Sequence, residues 1–229
     1  MSGFEGFKPD FFRFFRELKR NNDRDWFAAN KQRYLDVVVA PMGQFIEAIA
    51  PRLHVISKEY RADPRPHGGS MFRIYRDTRF SKDKTPYKTH AACHFRHRAG
   101  KDAHAPGFYA HFELDRLMLG GGIWQPPGAA LLRIREFIVD NPAEWQRIRS
   151  AKSVRQRGGI QGDSLVRPPR GFDPEHRHIE DLKRKSFYVM EEADPALLKS
   201  RELVNRSAAA FRAAGRLNRY VCDALELPF

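Results

Sequence analysis

Apolar side chains recur at i, i+3, i+4 and i+7 through Phe11, Phe14, Phe15 and Leu18, which predicts an amphipathic helix over residues 9–20. Pro9 and Asp10 suit its first turn. After a break at Asn21-Asn22, the positions Trp26, Phe27, Tyr34, Val37 and Val38 predict a second helix over 23–39, and Pro41 is expected to open a third through Phe45, Ile46, Ile49 and Leu53. Two prolines and two glycines within 61–69 mark a loop, and beyond it the period changes. Residues 71–75 are short, apolar and partly β-branched, as a strand would be. Residues 91–98, 107–113 and 117–120 read as successive strands of an antiparallel meander, the second alternating Phe108, Ala110 and Phe112 with Tyr109, His111 and Glu113. Helical spacing returns at 126–139 and 142–149. A loop-rich stretch over 158–172, a strand around 186–190 and a closing helix over 202–227 complete the pattern. Helices, then strands, then helices predict an α+β fold. We expect a single domain with a mainly antiparallel sheet from 70–120, packed by helices of 8–60 and by a mixed helical part over 126–229.

Composition narrows the class. Of 229 residues, 41% are hydrophobic, including 18 Phe, enough for an ordinary core and against a disordered or fibrous chain. The longest apolar runs, such as 37–42, fall far short of the roughly 20 residues that span a bilayer. The first residues interleave Phe with charges and lack the apolar stretch of an export signal, and the two cysteines, Cys93 and Cys222, are too few for a disulfide framework. A cytoplasmic location is expected, with no membrane partner. The chain has no internal repeat and no Gly/Ser linker.

The charge is uneven. Residues 61–101 hold 11 Lys/Arg against 3 Asp/Glu, and residues 147–185 hold 11 against 5, while the formal net charge of the whole chain is +13. The excess therefore sits in two segments. Clustered charge makes a local potential that concentrates anions, whereas the bland reading is a pair of solvated loops crossed by acidic partners. Between Arg73 and Lys88 lie the cations Arg73, Arg76, Arg79, Lys82, Lys84 and Lys88 and only two anions, Asp77 and Asp83. An external phosphate or carboxylate would balance the remainder, and arginine suits that role through its two parallel donors. Asp83 is placed to accept from the backbone two residues on, and Asp77 to brace one guanidinium. The alternative is an Arg/Asp network that only fixes a connection between strands.

The pattern of Arg73, Arg76, Asp77, Arg79, Phe80, Asp83, Lys84 and Tyr87 resembles the signature of the bacterial domain-of-unknown-function 2461 proteins. Asn21-Asn22 with Trp26-Phe27 and Asn30-Lys31, and later Arg167-Pro168-Pro169 with Gly171-Phe172, extend the resemblance along the chain. The resemblance implies a one-piece fold and a bacterial origin. It brings no established activity, so no catalytic role is carried over.

Other candidates are weaker. Gly120-Gly121-Gly122 stands where a strand gives way to a helix; it is either an anion cradle of backbone N–H groups or a relief of crowding, and it matches no nucleotide fingerprint. Trp124 is expected in the core. His90 and His94 fall on one face of a strand and Cys93 and His97 on the other, so three metal ligands would need His111 or Glu113 from the neighbouring strand. No metal site is predicted. His176 and His178 lie in a polar stretch and are expected to be exposed. There is no nucleophile elbow and no HExxH helix.

The resulting expectation is an anionic, phosphate-bearing and nucleotide-like small ligand held by Arg73, Arg76, Arg79, Lys82, Lys84, Tyr87 and Lys88, with Asp77 or His90 available for proton transfer should the protein be an enzyme. Competing readings are a nucleic-acid-binding module using the same cations, with Phe80, Tyr87 or Trp124 stacking on bases, and an interaction domain meeting an acidic partner. The second basic segment is expected to fold over the first if the two form one cleft. Cofactor, reaction and oligomeric state are not determined by the sequence.

Overall fold

The computed structural model describes residues 3–100 and 104–229. Helix α1, Pro9–Arg20, buries Phe11, Phe12, Phe14, Phe15 and Leu18, with Asp10 in its first turn and Lys19 and Arg20 in its last. Each such Phe contributes roughly 1.5–3 kcal/mol by leaving water. Asp23 then caps α2, Arg24–Ala29, its carboxylate accepting from the Trp26 N–H at 2.8 Å.

The single helix expected over 23–39 is divided, and Pro41 does not open a new one. Asn30 ends α2 and precedes α3, Lys31–Tyr34; a π turn at Leu35–Val39 then runs without interruption into α4, Ala40–Ile56. The Ala40 N–H bonds to the Leu35 carbonyl, five residues back. Proline offers no N–H to the carbonyl four residues before it and its ring crowds that carbonyl, so a wider turn lets the helix continue past Pro41.

The sheet contains β1, Ala91–Arg96; β2, Gly107–Glu113; β3, Arg116–Ile123; and β4, Phe187–Ala193, in the order β1-β2-β3-β4 with every pair antiparallel. This is the expected meander with β4 added along β3. Between β3 and β4 run α5, Gly128–Asp140; α6, Pro142–Ser150; α7, Lys152–Arg155; and α8, Ile179–Leu182. A 3₁₀ turn, Pro195–Lys199, leads into α9, Glu202–Ala224. The last helix stops short of Leu227 because Glu226 takes φ +57° and the Leu227 N–H turns back to the Cys222 carbonyl at 2.9 Å, a C-terminal cap of the Schellman type.

The expected strand over 71–75 does not form. Its backbone changes partner part-way: Phe72 N–H bonds to the Ala92 carbonyl at 3.0 Å, whereas Arg76 N–H bonds to the Pro86 carbonyl at 2.9 Å. Only isolated bridges remain, Met71 with Cys93 and Tyr75 with Tyr87. Each pairing is too short for a ladder. Together they cover the outer edge of β1 and tie off a loop over 77–85.

Period-two alternation gives the sheet two different faces. Cys93, Phe95, Phe108, Ala110, Phe112, Leu119, Phe187 and Val189 are buried on the inner one. Against them pack Phe211, 5.3 Å from Phe108 between ring centres, and Phe45, 5.0 Å from Phe112. Asn218 of α9 donates to the Gly107 carbonyl at 3.1 Å and fixes the helix on β2. Also on β4, the buried Glu191 is held between Arg157 and Arg206, each at 3.0 Å. The outer face carries His94, Tyr109, His111, Met118, Tyr188 and Met190.

Candidate functional site

The basic loop has an internal architecture. Asn22 mimics a strand by accepting from the Tyr87 N–H at 3.0 Å and donating to the Tyr87 carbonyl at 2.9 Å. The Tyr87 ring is buried and stacks on Phe27 at 4.1 Å. Asp83 accepts from the Thr85 N–H at 2.9 Å, the turn its sequence position suggested. Its other oxygen meets Arg76 at 2.5 Å, and Arg76 also reaches the Thr85 hydroxyl and, at 3.2 Å, the Thr85 carbonyl. Asp77 accepts from the Arg79 backbone N–H at 3.2 Å and from both sides of the Arg79 fork, Nε at 3.0 Å and Nη2 at 2.7 Å. The Thr85 N–H, and then Arg76, hold the Asp83 carboxyl down at about 2; Arg79 does the same for Asp77, also to about 2.

Two of the six cations are thus matched inside the loop itself. Lys84 donates to the Thr78 carbonyl at 2.9 Å, and Lys88 to the Arg73 carbonyl at 2.8 Å while lying 5.5 Å over the Phe72 ring. Arg73 and Lys82 are exposed and make no ion pair among the described residues. Phe80, beside Arg79, is 94% exposed. Of the six cations, Arg73 alone lines one of the three cavities described below.

The two basic segments join opposite edges of the sheet. Residues 60 and 71 bridge to β1 and its extension at His97, while Gln161 bridges to Tyr188 on β4. The second segment also settles much of its own charge, through Arg149 and Arg184 with Asp181 and Lys183 with Glu180. His178, expected to be exposed, is buried and bonds to the Pro142 carbonyl at 3.1 Å.

A wider concavity lies elsewhere, on the outer face of the sheet. It is a trough of about 440 Å³ lined by Phe72, His94, Gly107, Tyr109, Met118, Gly121, Gly122, Trp124, Tyr188 and Met190. Trp124 is therefore not a core residue: it is 47% exposed, 5.8 Å from the Tyr188 ring, because the chain turns outward at Gln125, where φ is +42°. The glycine run lies inside the C-terminal half of β3, paired with β4, rather than at the N-terminus of α5. A Cβ on Gly120 would lie 2.0 Å from the Val189 carbonyl oxygen, and one on Gly107 would lie 2.1 Å from His94 Nε2. The glycines relieve crowding and at the same time keep the trough floor open.

Past Phe72 and His94, which line both, the trough adjoins a second cavity of about 350 Å³ that includes His67, Ser70, Arg73 and Arg96. A third, of about 230 Å³, is lined by Arg61, Arg65, Arg96 and Arg98 together with Asp63. An apolar trough thus shares two lining residues with a cavity that carries Arg73 and Arg96. Apolar pocket residues such as Phe72, Met118 and Met190 carry no signal that separates them from core; the glycine run with Trp124 was the one clue in the sequence.

Below the trough, β2 carries a hydrogen-bonded chain. Tyr109 Oη lies 3.2 Å from His111 Nδ1, and His111 Nε2 lies 3.3 Å from a Glu113 oxygen. The His90 ring lies against that of His111, tilted by 32° with ring centres 4.2 Å apart. Burial lowers the pKa of His111, and burial together with the neighbouring His111 lowers that of His90 to about 4. Glu113 opposes both shifts and Lys88 adds to that of His90. His94 shares this face; Cys93 is buried on the other, and His97 bonds to the Pro228 carbonyl at 2.8 Å. Among the described residues, no group of three His, Cys, Asp or Glu side chains is placed to hold a metal ion.

A histidine kept neutral in the fold makes stability fall in acid. The unfolded chain takes up this proton near pH 6.5 and the folded one only near 4, so stability is lost as pH drops between those values. We expect a loss of about 2 kcal/mol from His90 between pH 7 and pH 4.5 in urea unfolding. His90→Asn is expected to flatten that part of the decline. An unchanged slope would show that His90 is not the group responsible.

No helix among the described residues is long and apolar enough to cross a membrane. Comparison with curated proteins and with solved structures finds no match to this chain. A family model described as "conserved hypothetical protein (DUF2461)" does match, over residues 10–220, which take in both helical parts, the loop, the sheet and the trough. The chain belongs to the DUF2461 family.

Proposed function

We propose that the protein binds an amphiphilic small molecule with a planar apolar body and an anionic group, nucleotide-like in its layout. The observation that carries this reading is that Phe72 and His94 line both cavities, which sets an apolar trough beside a cavity that holds Arg73 and Arg96. The trough takes the planar body against Tyr109, Trp124 and Tyr188, and the adjoining bay takes the anion near Arg73 and Arg96. A mostly apolar cavity of several hundred cubic ångströms with a few polar groups is the usual form of a small-ligand site. The anionic ligand expected from the composition is kept, but its place moves from the loop tip to the face of the sheet. Arg76 and Arg79 then shape the loop instead of touching ligand, because Asp77 takes the fork of Arg79 and Asp83 and Thr85 engage Nη1 of Arg76.

Titration with AMP and adenosine tests the two halves separately. AMP is expected to bind about tenfold more tightly than adenosine, as a charge-assisted hydrogen bond contributes, and Arg73→Ala is expected to remove that advantage. Equal binding of the two would remove the anionic half of the proposal, and no binding of either would count against all of it.

A nucleic-acid-binding role has one observation in its favour. Phe80 is almost wholly exposed, with Arg79 5.8 Å over its ring. Oligonucleotide binding that weakens steeply with salt and is lost in Phe80→Ala would move the function to the loop tip.

A further inference from the structure

We propose that the chain Tyr109-His111-Glu113 fixes Tyr109 as a hydrogen-bond acceptor toward the trough, so that the site selects planar apolar ligands that carry an N–H or O–H donor. The inference rests on the trough being a ligand site and adds the polar sense of that ligand.

The sense follows from the end of the chain. The Glu113 carboxylate has no proton to offer, so the His111 Nε2 that faces it carries the hydrogen. A neutral imidazole has one N–H, and burial keeps His111 neutral, so Nδ1 is left with a lone pair. Of the two atoms that meet at 3.2 Å, Tyr109 Oη is then the donor and His111 Nδ1 the acceptor. With its only hydrogen committed to His111, the phenol oxygen keeps its lone pairs for other partners. Tyr109 lines the trough. A ligand donor placed there completes a hydrogen bond, whereas a ligand acceptor meets lone pairs.

The surroundings hold the arrangement in place. The groups facing His111 are His90 at its ring, Tyr109 and Glu113 on its own strand, and Arg116 from β3; Lys88 lies beyond, acting on His90. Burial, and after it the repulsion from Arg116, disfavour an imidazolium at His111. Glu113 favours one, and it also fixes which nitrogen holds the hydrogen in the neutral form.

Two measurements test the inference. Indole and benzofuran are planar apolar bicycles of nearly the same shape, one presenting an N–H and the other an ether oxygen. The wild-type protein is expected to bind indole about fivefold more tightly than benzofuran, the advantage of one neutral hydrogen bond, and Tyr109→Phe is expected to bind both alike. In the free protein at neutral pH, nitrogen chemical shifts of His111 are expected to report the Nε2–H tautomer. Equal affinities in the wild type, a preference that survives in Tyr109→Phe, or the Nδ1–H tautomer would overturn the inference and leave the trough a ligand site. Absence of binding by both bicycles would overturn the trough reading, and this inference with it.

Discussion

Glu191→Ala is expected to lower the melting temperature by about 10 °C, corresponding to a loss of about 3 kcal/mol. Glu191 is buried and is the shared partner of Arg157 and Arg206, each at 3.0 Å. Removing the acid leaves Arg157, itself largely buried, with a positive charge and no counter-charge in contact. The penalty comes from the stranded cation and exceeds the net value of the pair, since both charges had already been taken out of water. Arg206 is more exposed and can turn to solvent, which limits the loss. The double variant Glu191→Leu with Arg157→Met separates these contributions. It is expected to recover most of the lost stability, because it removes the buried charges together. A double variant no more stable than the single one would show that the ion pairs themselves, and not the desolvated remainder, carry the effect.

Gly122→Ala is expected to cost about 3 kcal/mol or more, through overpacking and an unfavourable backbone angle acting at the same residue. Gly122 takes φ +150°, and a Cβ there would lie 2.2 Å from the Phe187 carbonyl oxygen and 2.4 Å from Tyr188 Cα. The obstacles are backbone atoms of β4, which cannot rotate out of the way as a side chain does. The ladder between β3 and β4 must open, and the trough that Gly122 and Tyr188 line is disturbed with it. Gly128→Ala provides the control, since nothing lies within 4 Å of a Cβ at that position and the residue begins a helix. The urea midpoint is expected to fall for Gly122→Ala and to stay close to wild type for Gly128→Ala. A Gly122→Ala protein as stable as the wild type would mean that β3 and β4 do not approach this closely.

The glycine run shows how a site is read only in part from a chain. Its sequence left two interpretations open, an anion cradle or a close approach of backbones. The difference depends on what stands beside each Cα, and for Gly120 and Gly122 that neighbour is β4, between 65 and 70 residues later in the chain. Trp124 illustrates the same point from the other side. A lone tryptophan is usually core, but the left-handed turn at Gln125 and the bond from its N–H to the Ser186 hydroxyl, at 2.9 Å, carry the chain outward at this point. The six cations between Arg73 and Lys88 could be counted in advance. That Asp77 and Asp83 would close on Arg79 and Arg76, leaving Arg73 beside a separate cavity, depended on the turns adopted by the loop.

The sequence by itself determined the order and kind of the main elements, the period-two split of Phe108, Ala110 and Phe112 from Tyr109, His111 and Glu113, and the family. These are properties of local spacing, which a few neighbouring residues suffice to express. Tertiary structure alone decided that residues 71–75 divide their hydrogen bonds between two partners, that the basic segments stand at opposite edges of the sheet, and that an apolar trough opens between Phe72 and Tyr188. Each of these depends on contacts between segments far apart in the chain, where pairing and the available space, and not local periodicity, set the outcome.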